Sequence, residues 1–150
     1  MFTQRMNELR TRLDAANIDV ALITDDDSVY YFTGYYDYLH MEFGRPTILV
    51  VPKDGKSLLI TPNMEMDMAE AVAAVDRIEA WNDGMGDEWR AALPNAIKDA
   101  SQVAIEPDQM PPLVRNYIDT IIDASKLSDV TPIVADMRMI KSEEELQLAR

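Results

Sequence analysis

The sequence predicts a single α/β domain with one mixed, mostly central β-sheet and flanking helices, and three observations carry that reading. Apolar residues recur at helical spacing near the amino end and again from residue 89 to 122. Short aliphatic runs alternate with those stretches, as strands do in a sheet with helices on its faces. Lys53-Asp54-Gly55-Lys56 separates two such runs by a tight turn, so at least one strand pair is antiparallel and the sheet is mixed. A chain of 150 residues with 47% hydrophobic content has enough material for one ordinary core.

Met6, Leu9, Leu13 and Ala16 recur with Arg10, Arg12 and Asp14 between them, which predicts an amphipathic helix over residues 3–17. Val20-Ala21-Leu22-Ile23-Thr24 is a continuous apolar run closed by the turn cluster Asp25-Asp26-Asp27-Ser28, the pattern of a strand buried on both faces. Val29 to Thr33 is β-branched and aromatic and is expected to be a second strand stopping at Gly34. Thr47 to Val51 and Ser57 to Thr61 are the two strands around the Asp-Gly turn. Met64 to Ala74 favours a helix, Arg77 to Trp81 a strand, and Asp83-Gly84-Met85-Gly86 a loop. Trp89, Leu93 and Ile97 mark another amphipathic helix, and Gln102 to Glu106 another strand. Pro111-Pro112 opens a helix carrying Leu113, Val114, Tyr117, Ile118, Ile121 and Ile122. Val130 to Met137 is expected to be a connector. At the end, Ser142 with Glu145 three residues on is a capping box, and Glu143 and Glu144 suit the positive end of a helix dipole. The chain is therefore expected to stop just inside a helix belonging to a larger protein.

Composition removes several function classes. With 27 acidic against 14 basic residues the net charge is −13, and Lys and Arg are scattered, which argues against nucleic acid and anionic membranes as partners. Cysteine is absent, so thiol nucleophiles and cysteine-based metal sites are excluded and a reducing, cytoplasmic compartment is expected. No stretch reaches the roughly 20 apolar residues of a membrane helix, and the first turns lack a signal-peptide core. His40 is the only histidine, which excludes a two-histidine zinc site within this chain. Gly84-x-Gly86 lacks the third glycine of a dinucleotide fingerprint. Asp25, Asp26 and Asp27 lack the glycine and distal glutamate of a calcium loop and read more simply as a solvated turn. Met64, Met66 and Met68 read as flexible core filler.

The segment from Tyr30 to Pro46 stands apart because it holds five of the six tyrosines. Tyr35, Tyr36, Tyr38, His40, Phe43 and Arg45 combine large aromatic surface with polar tips on a loop, which is what a binding surface uses. The alternative is that Tyr30 and Phe32 point into the core from a strand while the other rings cover a sheet edge. The first reading is favoured for Tyr35 to Arg45, with Tyr35 and Arg45 both expected on the loop and outside the core.

The order of these features is recognisable. Ile18 to Thr24, Tyr31-Phe32-Thr33-Gly34-Tyr35, Arg45-Pro46, Val51-Pro52-x-x-Gly55 and the closing Arg138-Met139-Ile140-Lys141-Ser142-x-x-Glu145-Leu146 together resemble the N-terminal domain of the creatinase, prolidase and Xaa-Pro aminopeptidase family. The resemblance covers essentially the whole chain and implies a ribonuclease H-like fold for residues 1–137. It implies that residues 138–150 begin the helix leading into a C-terminal "pita-bread" catalytic domain. That domain carries two aspartates, a histidine and two glutamates around two divalent metal ions, expected to be Mn, Co or Zn. No cofactor is expected in this fragment, which is expected to hydrolyse nothing by itself. Its implied partners are its own catalytic domain and a second subunit of a homodimer, with this domain shaping the substrate pocket. Xaa-Pro dipeptides are the first expected substrate class; a creatinase-type amidinohydrolase, another small-molecule hydrolase, or a stand-alone interaction module are the alternatives. The Phe43-Gly44-Arg45 stretch looks like the segment in which a creatinase arginine meets a substrate carboxylate. Equally, Arg45 would anchor the loop by pairing with Asp37 or Glu42.

Overall fold

Six short strands form one mixed sheet, and the alternation of side chains along them builds a separate apolar layer on each face. The computed structural model describes residues 1–36, 46–62, 66–81 and 88–139. In chain order they form α1 (Phe2–Ala15), β1 (Val20–Ile23), α2 (Asp26–Thr33), β2 (Ile48–Pro52), β3 (Leu58–Pro62), α3 (Met66–Val72) and β4 (Arg77–Trp81). Then follow α4 (Glu88–Ile97), β5 (Val103–Ile105), α5 (Pro112–Ile121), a 3₁₀ turn at Ala124–Lys126, β6 (Leu127–Asp129) and α6 (Thr131–Met139). Across the sheet the order is β4-β3-β2-β1-β5-β6. The turn at Lys53 to Lys56 does join an antiparallel pair, with Leu49 opposite Leu59, and β2 is also antiparallel to β1. The pairs β1 with β5, β3 with β4 and β5 with β6 are parallel.

Period-2 alternation divides the core. Ala21, Ile23, Leu49, Val51, Leu59 and Ala104 face one layer, where Met6, Leu9 and Leu13 of α1, Val29 and Phe32 of α2, Ala69 of α3 and Val134 and Met137 of α6 cover them. Val20, Leu22, Ile48, Val50, Leu58, Ile60, Val103 and Ile105 face the other, under Trp89, Leu93 and Ile97 of α4 and Val114 and Ile118 of α5. In α5 the proline at the first helical turn and the i, i+4 pair Val114 and Ile118 account for both its start and its buried stripe. Truncating a fully buried residue such as Ile118 to alanine is worth about 2–5 kcal/mol, because the facing strands cannot collapse into the space.

Two expected elements differ. Residues 29–33 are not a strand but lie in helix α2. Asp25 caps the helix by accepting the Ser28 N–H at 3.2 Å, and Gly34 ends it in the left-handed conformation at φ 79°. Two terminal caps outweigh the β-propensity of Val29, Tyr30 and Tyr31, and the residues thus alternate at helical spacing: Val29, Phe32 and Thr33 are buried while Tyr30 is 51% exposed. The stretch from Val130 to Met137 is not a connector, since Thr131–Met139 is helix α6 and its Val134 and Met137 sit in the core. The capping box at Ser142 and the glycines at 84 and 86 lie outside the described residues.

Because β2 alone runs against the others, β1, β3, β4, β5 and β6 all finish at the same end of the sheet, where β2 begins. We call this end the upper rim and the opposite end the lower rim.

Candidate functional site

The carboxyl ends of parallel strands are where α/β sheets place ligand sites, because the connections there are free to vary without disturbing the layers beneath. The upper rim fits that description. Pro62 and Trp81, the last residues of β3 and β4, and Thr47, just before β2, all lie at this rim. The lower rim has short connections, at residues 16–19, 53–57, 73–76, 98–102 and 122–126.

Buried polar chemistry is divided just as unevenly. Among the described residues, Thr24, Thr47, Thr61 and Glu106 are buried at or beside strand ends of the upper rim, and Ser28 and Thr33 are buried in the helix that leaves it. Ser57 is the one buried polar side chain at the lower rim among them. Two of these groups join Tyr35 in a hydroxyl chain at the rim: the Tyr35 hydroxyl lies 3.3 Å from Thr61 Oγ1, which lies 3.1 Å from Thr47 Oγ1. The Tyr35 N–H donates to Thr33 Oγ1 at 3.1 Å, and the Thr33 hydroxyl donates to the Val29 carbonyl at 2.7 Å. The chain therefore enters the segment after Tyr36 and leaves it at Thr47 from points tied to the same hydroxyl of β3.

Tyr35 is accordingly in the core, fully buried, and the expectation that it stands outside the core is corrected. Its ring belongs to the apolar layer covered by α1, α2, α3 and α6 while its hydroxyl reaches Thr61, which a tyrosine does when its polar tip finds a partner. Tyr36 is half-buried and meets the exposed Tyr30 edge to face, with ring centroids 6.4 Å apart. Tyr38, His40, Phe43 and Arg45 lie outside the described residues. Asp25 is engaged as the α2 cap, with the Ser28 hydroxyl donating to it at 3.1 Å. Among the described residues no three His, Cys, Asp or Glu side chains are grouped to hold a metal ion, and no helix is long and apolar enough to cross a membrane.

Glu106 was not singled out by the sequence. It follows Val103–Ile105 directly and is 3% exposed, and its Oε1 accepts the N–H groups of Thr24 at 3.0 Å and Asp25 at 3.1 Å. Burial pushes its carboxyl up and the charge of Asp25 pushes the same way, against the opposing pull of the Asp25 and Thr24 N–H groups and the Ser28 hydroxyl. A charged residue at the end of an apolar run looks the same in sequence whether it meets water or a neighbouring strand's turn.

The family model described as the creatinase/prolidase N-terminal domain matches residues 5–140. A creatinase of Bacillus sp. (strain B-0618) is 26% identical over 152 residues, covering 99% of this chain and 36% of that protein. Among solved structures, the N-terminal domain of an X-Pro dipeptidase from Streptococcus pyogenes superposes with a TM-score of 0.76 at 23% identity, covering 89% of this chain and 98% of that one. A recombinant prolidase from Thermococcus sibiricus superposes with a TM-score of 0.81 at 21% identity, covering 98% of this chain and 39% of that one. The chain thus spans well under half the length of the creatinase and of the prolidase, and nearly all of the separately solved streptococcal domain.

Proposed function

Because the chain belongs to the creatinase/prolidase N-terminal domain family, we propose that it is the non-catalytic N-terminal domain of a metal-dependent, Xaa-Pro dipeptidase- or aminopeptidase-like hydrolase, and that its upper rim shapes the substrate pocket. The observation that carries this reading is the gathering of buried hydroxyls, those of Thr24, Thr47 and Thr61, at the rim where the parallel strands end. In this reading Tyr38, His40, Phe43 and Arg45 meet the substrate, while Tyr35 and Thr47, on either side of them in sequence, are both tied to Thr61. Arg45 supplies a planar fork for a substrate carboxylate. The two divalent ions and the hydrolytic step belong to a catalytic domain that follows residues 138–150, and a second subunit completes a homodimer. A reducing cytoplasm suits a chain without cysteine.

A second reading, a creatinase-type amidinohydrolase, is favoured by the similarity to a creatinase along 99% of this chain. Activity of the whole protein on Xaa-Pro dipeptides against creatine separates the two. The test of the shared premise is the reading frame beyond Arg150. Two aspartates, one histidine and two glutamates in that order support the hydrolase; a frame that lacks them removes the enzyme and leaves an interaction module.

A further inference from the structure

Glu106 is the one charged side chain buried among the described residues, and its surroundings explain why such a costly group is kept there. One oxygen accepts both backbone N–H groups of the turn that carries β1 into α2. The Thr24 hydroxyl returns the tie by donating to the Gln109 carbonyl at 3.1 Å, in the loop after β5. The neighbouring carboxylate of Asp25 holds the first turn of α2 and lies 3.8 Å from Arg138 in the last turn of α6. The amino end of a helix that follows a strand attracts anions, because its first N–H groups are free and the helix dipole is positive there. In this fold a carboxyl oxygen at the end of the adjacent parallel strand takes the two N–H groups that lead into the helix.

We propose that Glu106 is an internal acceptor: a buried carboxyl whose oxygen keys the β1–α2 turn to the β5–α5 loop just ahead of α2 and, through Asp25 and Arg138, steadies the end of α6. The role belongs to the chain itself and does not depend on which substrate the parent protein takes. The charged groups that face Glu106 are Asp25 directly and Arg138 behind it. Since burial raises the Glu106 carboxyl above its ordinary value, the folded chain keeps this proton to a higher pH than the unfolded chain does. The stability linked to it is complete below the ordinary glutamate pKa and falls as pH rises through the raised value.

The test is amide hydrogen exchange and pH-dependent unfolding of the 150-residue chain carrying Glu106→Gln or Glu106→Leu. Leucine keeps the bulk and removes the acceptor, so Thr24 and Asp25 amides should exchange about tenfold faster or more. The Ser101 and Gln102 amides, which Asp19 holds at the lower rim, serve as the unchanged control. Glutamine keeps an oxygen for both N–H groups but cannot ionise, so protection should survive while the loss of stability above about pH 4.5 disappears. Wild-type exchange at Thr24 and Asp25 in Glu106→Leu overturns the proposal. If that variant does not fold, Glu106→Gln decides alone: protection retained at Thr24 and Asp25 supports the proposal, and fast exchange at both overturns it.

Discussion

At the lower rim Asp19 accepts the N–H groups of Ser101 and Gln102 at 2.8 and 2.9 Å, and Asp76 accepts the N–H of Ser57 at 2.8 Å, each from a hydrated position. At the upper rim Glu106 makes the same kind of contact, to Thr24 and Asp25, from a site closed to water. The same hydrogen bonds therefore have opposite consequences for the proton. The backbone N–H groups dominate at Asp19 and Asp76 and hold those carboxyls below the ordinary range, whereas desolvation dominates at Glu106 and pushes it up. The difference teaches what each rim is for. The lower rim closes short turns with surface carboxylates, helped by Arg10, which donates to the carbonyls of Pro52 and Gly55. The upper rim buries Thr24, Thr47, Thr61 and Glu106 at its strand ends, and it is the rim to which the proposed function assigns the substrate.

This contrast is open to direct attack, and the largest expected effect is at Tyr35. Replacing it by alanine empties a fully buried site against α1 and α2 and should cost about 3–5 kcal/mol in urea unfolding. Tyr35→Phe removes only the hydroxyl that meets Thr61 and should cost about 1 kcal/mol. A neutral Tyr35→Ala would mean that the upper rim does not rest on this pillar. Gly34→Ala should come next, at about 1–2 kcal/mol, because φ is 79° and the new Cβ would stand 2.9 Å from Phe2 Cε2. Thermal unfolding of that variant, with Gly55→Ala as an ordinary-turn comparison, reads the difference.

The smallest effect, Asp19→Ala, sharpens the comparison through its pH dependence. It should cost about 1 kcal/mol at pH 7, since a partly exposed carboxylate is replaced by water for the two amides. With the folded pKa of Asp19 depressed, its contribution is present above the ordinary aspartate value and is lost as pH falls through the lowered one. The gap between wild type and Asp19→Ala should therefore close on acidification below about pH 4. Glu106 contributes with the opposite sign, losing stability as pH rises, so a single pH series on wild type, Asp19→Ala and Glu106→Gln separates the rims.

Much of this architecture was legible in the residues. The aliphatic runs named β1 to β5, the Asp-Gly turn between Val51 and Ser57 set the antiparallel pair, and Pro112 with Val114 and Ile118 announced α5. What failed was propensity without caps. Val29 to Thr33 read as strand because β-branched and aromatic residues favour one, yet Asp25, three residues before Ser28, and Gly34 after Thr33 are helix boundaries that packing of Val29 and Phe32 confirms. The spacing of Val130, Val134 and Met137 already carried the buried stripe of α6. The edge strand β6 is Leu-Ser-Asp, too short and polar for a pattern. Of the candidate site, the concentration of tyrosines drew attention to the stretch from Tyr30 to Pro46, but a buried supporting ring and a ring that faces a ligand have the same letter, and only the tertiary contact with Thr61 placed Tyr35 in the core.

The most direct measurement is steady-state kinetics of the whole protein on an Xaa-Pro dipeptide, comparing Arg45→Ala, which the proposed function sets against the substrate, with Lys53→Ala, whose ammonium pairs with Asp14 and Asp19 at the lower rim. A working upper rim predicts that Arg45→Ala lowers kcat/KM by about tenfold or more while Lys53→Ala leaves it unchanged. Equal kinetics for the two variants, or a loss confined to Lys53→Ala, would contradict the assignment of the upper rim to substrate.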